Sequence, residues 1–206
     1  MTRVIAGAVG GRRLAIPRGL ATRPTSDRAR EGLFGTAIAV LGGLDGVRVL
    51  DLYAGSGAVG LEALSRGAAH VLLADSSPAA VRAIRSNIAA LELKGAEVAA
   101  EPVRRVLARG PGPDGPYGFV FADPPYAAPA GEVTGVLAAL RDHGWLDPSV
   151  PGGPPPTLVA VERATRSGPV AWPDGYRPDR SRRYGEATLW YGFAAAVSER
   201  PVDEAL

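Results

Sequence analysis

Val47-Arg48-Val49-Leu50-Asp51-Leu52-Tyr53-Ala54-Gly55-Ser56-Gly57-Ala58-Val59-Gly60 is an apolar run that opens into a glycine-rich turn. The run reads as a buried strand, and the residues after the turn as a helix to about residue 66. Strand, glycine turn and helix make a nucleotide-binding turn, because glycine lets the backbone come close to a ligand. A second apolar run, residues 70–74, ends in Asp75. An acid there can take both hydroxyls of a ribose, and charge-assisted hydrogen bonds of that kind contribute about 1.5–3 kcal/mol each.

Gly55-x-Gly57-x-x-Gly60 followed by Asp75 also satisfies the dinucleotide fingerprint, so an NAD oxidoreductase is a rival. Asp51 argues against it. A carboxylate just before the glycines would repel a pyrophosphate, but it would suit a cationic ligand carrying an ammonium and a sulfonium.

Residues 117–121 are another apolar run, and it meets Asp123-Pro124-Pro125-Tyr126. Two prolines stop a strand, since neither donates to the ladder and each fixes its own φ. An acid, a rigidly held carbonyl at Pro124 and the aromatic Tyr126 are thus presented at the carboxyl end of a strand, the edge where open α/β sheets bind ligands. Acceptors beside a stacking face suit a flat ligand with an NH2 group, such as a nucleobase.

Around these motifs, strands alternate with helices, which implies a parallel, doubly wound sheet. Thr25 or Ser26 caps a helix that runs to about Leu41 and ends at Gly42-Gly43. Arg23, Arg28 and Arg30 cluster near its start, as contacts to RNA phosphate or cofactor, or as a solvated helix end. Residues 3–17 read as a β-hairpin around Gly10-Gly11. Arg12 and Arg13 beside that turn are a phosphate grip or solvated surface. Helices are expected at about 78–93, 103–109 and 132–143, and strands at 96–100 and 157–162. Glu101-Pro102 follow the former strand, where an adenine could lie. Residues 172–180 are irregular or strand-like and 186–193 alternate like a strand, which suggests a closing antiparallel hairpin. The Gly/Pro loop 110–116 is expected to be mobile, and 148–156 is a second such loop.

The chain has no cysteine and two distant histidines, His70 and His143, so a thiolate or histidine-rich metal site is not expected. No apolar run approaches a membrane span, and a cytoplasmic protein is expected. Charge is unevenly placed. Residues 1–40 carry net +5, 41–162 net −4 and 163–193 net +3. Two basic flanks around an acidic middle fit a polyanion binder that holds a small-molecule site. Arg3, Arg18 and Arg180 belong to these flanks.

On Arg23-Pro24-Thr25-x-Asp27-Arg28-x-Arg30-Glu31-x-x-Phe34, Asp51 to Ala63, Asp123-Pro124-Pro125-Tyr126 and Arg183-Tyr184-Gly185, the chain resembles the class I methyltransferases that use S-adenosylmethionine. Within them it is similar to the bacterial 16S rRNA guanine-N2 methyltransferases of the RsmD type. The likeness covers nearly the whole chain, and the Pro/Gly loops depart from it. It implies a Rossmann-like, seven-stranded, mainly parallel sheet with helices on both faces. Residues 1–20 would be a hairpin extension, 21–193 the methyltransferase domain and 194–206 a disordered tail. Asp51, Tyr53, Gly55, Ser56 and Gly57 would line the methionine end of S-adenosylmethionine, Asp75 and Ser76 its ribose, and Glu101 and Pro102 its adenine. Asp123, Pro124, Pro125 and Tyr126 would be catalytic. Arg12, Arg13, Arg23, Thr25, Arg28, Arg182, Arg183 and Tyr184 would meet 16S rRNA, within the 30S subunit or an assembly intermediate, and a monomer is expected. Rivals on the same residues are a DNA adenine-N6 methyltransferase and a non-catalytic RNA-binding module.

Overall fold

Apolar runs bounded by glycine, proline or acids become the strands of a single sheet. The computed structural model describes residues 2–17, 26–125, 128–148 and 155–196. Its strands are β1 (Arg48–Leu52), β2 (His70–Ala74), β3 (Ala96–Ala99), β4 (Phe119–Ala122), β5 (Leu158–Ala164), β6 (Tyr176–Tyr184) and β7 (Ala187–Ala194), and its helices α1 (Asp27–Leu41), α2 (Ala58–Ser65), α3 (Pro78–Leu91), α4 (Val103–Ala108) and α5 (Ala130–Asp142). The seven strands lie in the order β3-β2-β1-β4-β5-β7-β6. β1 pairs in parallel with both β2 and β4, and β7 pairs antiparallel with β5 and β6. The order reverses between β1 and β4, where an open α/β sheet forms its ligand crevice.

The expected doubly wound sheet with a closing antiparallel pair is the one observed. β6 differs in extent: it starts at Tyr176 and runs through Arg177, Arg180, Arg182 and Arg183 to Tyr184. It is an exposed edge strand, so no alternation of apolar residues announces it, and its charges protect the open edge. Among the described residues, no helix is long and apolar enough to cross a membrane.

Each face of the sheet carries its own core. Val49, Phe119, Phe121, Ala160 and Leu189 pack with Leu33, Phe34 and Ala37 of α1, Leu61 of α2 and Ile84 of α3. Leu50, Leu52, Val120, Val159 and Val161 pack on the opposite face with α4 and α5. α1 begins where the sequence suggests, with Ser26 Oγ accepting from Ala29 N, and ends at Gly42 in the left-handed region.

The N-terminal segment doubles back as an antiparallel hairpin would, but its pairing is shorter than two strands. It folds back on itself through Val4 N to Arg12 O, Gly11 N to Val4 O and Leu14 N to Thr2 O. Instead of two strands it forms one isolated antiparallel bridge, Arg3 to Arg13. The reason lies in α2. Ala8 N donates to the Ser65 carbonyl, Val9 N to Ser65 Oγ, and Ser65 Oγ to the Ala6 carbonyl. The Ala6 carbonyl and the N–H groups of Ala8 and Val9 are therefore given to α2 rather than to a ladder. Gly7 makes this approach possible, since a Cβ there would come within 1.9 Å of the Ser65 carbonyl oxygen.

Arg30 and Glu62 hold this arrangement together. Both side chains are fully buried and bonded at 3.0 Å. Arg30 also donates to Asp27 and to the Arg3 carbonyl, each at 2.7 Å. Arg66 donates twice to Glu62 Oε1, and Ile5 N donates to Glu62 Oε2. Arg30 thus proves to be an internal clamp between the N-terminal segment, α1 and α2, neither an RNA contact nor a solvated helix end. Removing one partner of a buried ion pair strands the other charge, at a cost of about 3–5 kcal/mol. Arg30→Ala is therefore expected to lower the urea-unfolding midpoint by a corresponding amount. The Arg30→Met/Glu62→Leu double variant should cost less than Arg30→Ala alone.

Candidate functional site at the carboxyl edge of the sheet

Asp51, Phe121 and Ala160 lie side by side on β1, β4 and β5. Side chains alternate along a strand, so Asp123, two residues past Phe121, belongs to the face that Asp51 occupies. Asp123 is held there by its own backbone, whose N–H donates to the Leu52 carbonyl at 3.2 Å. Past Asp123 the prolines end the strand. Pro124 is buried and Pro125 exposed. Ala128 N donates to the Pro125 carbonyl at 2.7 Å, and the buried Arg163 of β5 donates to the Ala128 carbonyl at 3.3 Å. Pro125 and Ala128 are thus tied to each other, and Ala128 to β5. Tyr126, Arg18, Arg23 and Thr25 lie outside the described residues.

Asp51 is 1 % exposed and accepts from Gly60 N at 2.8 Å. A Cβ at Gly60 would come within 2.8 Å of Val71 and 3.1 Å of the Asp51 carboxylate, so the glycine is what lets α2 sit this close. Burial pushes the Asp51 carboxyl up to about 7, against the pull of the Gly60 N–H and with a further push from Asp75. Asp123 keeps some exposed surface, but its carboxyl is crowded. Burial first, then Glu162 and Asp51, hold it well above the usual carboxylate range. A buried site whose acids resist ionisation binds a cation favourably, because the cation supplies the missing counter-charge.

The turn after β1 is built for close approach. Tyr53, Gly55 and Gly57 all have positive φ, with 61° at Tyr53, a conformation that side chains seldom adopt. The space over Gly55 is open: a Cβ there would meet nothing nearer than 4.0 Å. Gly55 N donates to Asp75 Oδ2 and Ser77 N to Asp75 Oδ1, at 2.9 and 2.8 Å. Asp75 therefore braces the glycine turn against α3, and each of its oxygens retains a lone pair for a hydroxyl. Ser76 is exposed beside it. The Tyr53 ring leans on the opposite core. Glu101, beyond β3, accepts from Arg109 at 3.0 Å, next to the exposed Pro102.

Asn87 escaped the sequence reading. It is 2 % exposed and joins the Ser56 carbonyl to both backbone groups of Ala15. Its signal was a polar residue at a core-facing position of α3, three after Ile84 and four before Leu91. Glu162, 1 % exposed on β5, stands in the sequence only as the end of a strand. Of the proposed RNA contacts, Arg13, Arg28, Arg182 and Arg183 are exposed. Arg12 donates to the Ala90 carbonyl at the end of α3. Tyr184 is half-buried against α1, where a Cβ on Gly32 would strike its hydroxyl.

A family model described as Conserved hypothetical protein 95 matches residues 2–192. The chain is 34% identical to the ribosomal RNA small subunit methyltransferase D of Escherichia coli K12 over 184 residues, 89% of this chain and 85% of that one. It is 40% identical to the Bacillus subtilis protein YlbH over 125 residues, 60% of this chain and 66% of that one. The solved structure of yhhF from Escherichia coli superposes with a TM-score of 0.79 at 31% identity, covering 95% of this chain and 98% of that one.

The raised Asp51 has a measurable consequence. A carboxyl that titrates near 7 when folded and near 4 when unfolded holds its proton longer in the native state. Its stabilising contribution is complete below about pH 4 and is lost as pH rises through about 7. Asp51→Asn keeps the oxygen that accepts from Gly60 N and removes the titration. At pH 8 it is expected to be about 1–3 kcal/mol more stable than wild type in urea unfolding, with the gap closing toward pH 5.

Proposed function

The chain belongs to the Conserved hypothetical protein 95 family, and we propose that it methylates ribosomal RNA, at the exocyclic N2 of one guanine of 16S rRNA, with S-adenosylmethionine as methyl donor. The observation that carries this reading is the pairing of Asp123 with the Pro-Pro stop at the crevice, on the face that holds the buried Asp51. The name of the Escherichia coli relative, a small-subunit methyltransferase, supports the substrate class.

The residues fit such a donor. Asp51, buried and reluctant to ionise alone, would hold the ammonium of its methionine end. The open space over Gly55 and the left-handed turn at Tyr53 leave room for the chain of the ligand. Asp75 would take the ribose hydroxyls, with Ser76 beside it. Glu101 and Pro102 would border the adenine. S-adenosylmethionine supplies an activated methyl on a sulfonium, which becomes a neutral thioether when the amine takes the methyl.

The protein then has to prepare the amine. An amine conjugated to a base is a poor nucleophile, because its lone pair is delocalised into the ring. Asp123 and the Pro124 carbonyl accept its two N–H groups and favour a pyramidal nitrogen. The lone pair then projects along one direction, and the rigid prolines fix that direction. Catalysis is mostly positioning and electrostatics. After alkylation the nitrogen sheds one proton, and Asp123 is the carboxylate beside it. Tyr126 would stack on the target base, a contribution of about 1–3 kcal/mol.

RNA would be gripped through the exposed edge strand β6 and the N-terminal segment. Arg180, Arg182 and Arg183 are exposed on β6, and Arg13 beside the N-terminal turn. Each arginine that no longer neutralises a phosphate should weaken binding and make the salt dependence shallower by about one unit of slope. The triple Arg180→Ser/Arg182→Ser/Arg183→Ser variant should therefore flatten log K against log salt by about two to three units. An unchanged slope would remove β6 from the interface.

The function itself is tested by methyl transfer from labelled S-adenosylmethionine to undermethylated small subunits, naked 16S rRNA and duplex DNA. N2-methylguanosine in the ribosomal samples is expected. N6-methyladenine in DNA would overturn the substrate. Asp123→Asn should lower turnover by at least about 100-fold while cofactor affinity stays within about threefold, which separates a role on the amine from one on the donor.

A further inference from the structure

The outer surface of α3 takes no part in the crevice. Between Asp75 and Glu92 the chain holds no acid, and the charged residues there are Arg82 and Arg85. Both are exposed, and neither has an ion pair among the described residues. The middle of the chain is acidic as a whole, so its net charge hides them. An arginine supports a helix when a carboxylate lies three or four residues away, whereas two arginines at that spacing repel each other. The positions that could answer Arg82 and Arg85 are Pro78, Ala79, Val81, Ser86, Ile88 and Ala89. The helix therefore carries an uncompensated pair of cations.

The N-terminal segment extends this surface. It lies along α3 from Ala79 to Ala90, about three helical turns. Ile16 and Pro17 border a groove of about 260 Å³ with Ala79, Arg82 and Ala83. One turn on, Ala15 exchanges both of its backbone groups with Asn87. At the end of the helix the exposed Arg12 donates to the Ala90 carbonyl at 2.6 Å. The segment is also free of acid as far as Asp27. Ile16 is 53 % exposed, the most exposed large apolar side chain among the described residues. A surface with unpaired cations, no carboxylate and an apolar groove fits a nucleic-acid strand, whose phosphates meet the charges and whose sugars meet the groove.

This surface is remote from β6. α3 packs on β3, the edge strand at the other end of the sheet. Six strand spacings separate β3 from β6, about 29 Å, and the crevice between β1 and β4 lies between them. We propose that α3 and the N-terminal segment laid on it form a second grip on the sugar-phosphate backbone of the rRNA substrate, with Arg82 and Arg85 as its phosphate contacts. This rests on the rRNA reading above. The two grips hold the substrate on both sides of the crevice.

Phosphate contacts are read from the salt dependence of binding. Affinity for protein-free 16S rRNA is titrated with salt for wild type, Arg82→Gln/Arg85→Gln and Arg104→Gln/Arg105→Gln. Glutamine keeps the helix propensity of arginine. Arg104 and Arg105 are exposed on α4, on the opposite face of the sheet, so their replacement removes the same charge elsewhere. The α3 variant should bind more weakly, with the slope of log K against log salt shallower by about 1.5–2 units and S-adenosylmethionine affinity unchanged. The α4 variant should keep its slope within about half a unit of wild type. An unchanged slope in the α3 variant would overturn the proposal, as would wild type with no measurable affinity for protein-free rRNA. Equal flattening in both variants would overturn it too, because net charge and not this face would be the cause. A loss confined to assembled small subunits, with the slope on protein-free rRNA unchanged, would give the face to a ribosomal protein instead. Wild-type methylation of undermethylated subunits is assayed alongside. Product without N2-methylguanosine would overturn the reading of the reaction, whereas the slopes judge this surface alone.

Discussion

A carboxylate with no exposed surface, that of Glu62, ties together three parts of the chain that would otherwise be independent. It receives Arg30 of α1, Arg66 at the end of α2 and the backbone N–H of Ile5. Arg66 in turn lies over the Phe34 ring at 4.7 Å, and Phe34 meets Phe119 of β4 edge to face at 6.5 Å. A mechanical line therefore runs from the N-terminal segment through α2 to the strand that carries Asp123. Against an apolar replacement, a buried ion pair gains little stability. Its value is in register, since every alternative packing strands a charge. Here the register that matters is that of α2, whose first turn delivers the Gly60 N–H to Asp51.

The candidate site works against the stability that this clamp secures. Asp51 and Asp123 share one face, and burial first, then the charges of Glu162 and Asp51, raise Asp123. A fold selected for stability alone would put apolar side chains at these two places. Their presence is what a ligand-binding site costs before the ligand arrives. The left-handed Tyr53 adds local strain at the same edge. Strain and crowded acids coincide where β1 and β4 part, and a cation in the crevice would relieve the crowding directly.

Much of this is legible in the residues. β2 keeps its expected bounds, because a wholly apolar run closed by an acid leaves little choice of register. Asp51, Asp75 and Asp123 can be found because each stands in or just after such a run. Arg30, Asn87 and Glu162 are harder. An arginine in the first turn of a helix looks solvated whichever way it points, and only the partner carboxylate, 32 residues away, turns it inward. Asn87 sits on the apolar side of α3, a signal visible in hindsight as a polar residue in an apolar stripe. β6 differs from its expected extent because an exposed edge strand has no buried face to impose alternation. The N-terminal hairpin pairs over a shorter stretch than expected because a segment that gives polar groups to a helix leaves the same apolar pattern as one that gives them all to a partner strand.

The charge pattern of the sequence acquires a spatial meaning in the sheet order. The acidic middle of the chain supplies β1 to β5, and the basic C-terminal flank supplies β6 at one edge. From β4 to β6 the sheet steps through β5 and β7, about 14 Å at the usual strand spacing. That exceeds the distance of about 8 Å over which exposed charges act at physiological salt. Phosphates gripped at β6 would therefore neither quench the carboxylates that face a cation nor be repelled by them. The N-terminal arginines reach the other half of the molecule by a different route, through Arg12 on the end of α3. A polyanion and a cation can then be held by one small sheet at once, because their sites are set apart by strand order and not by a second domain.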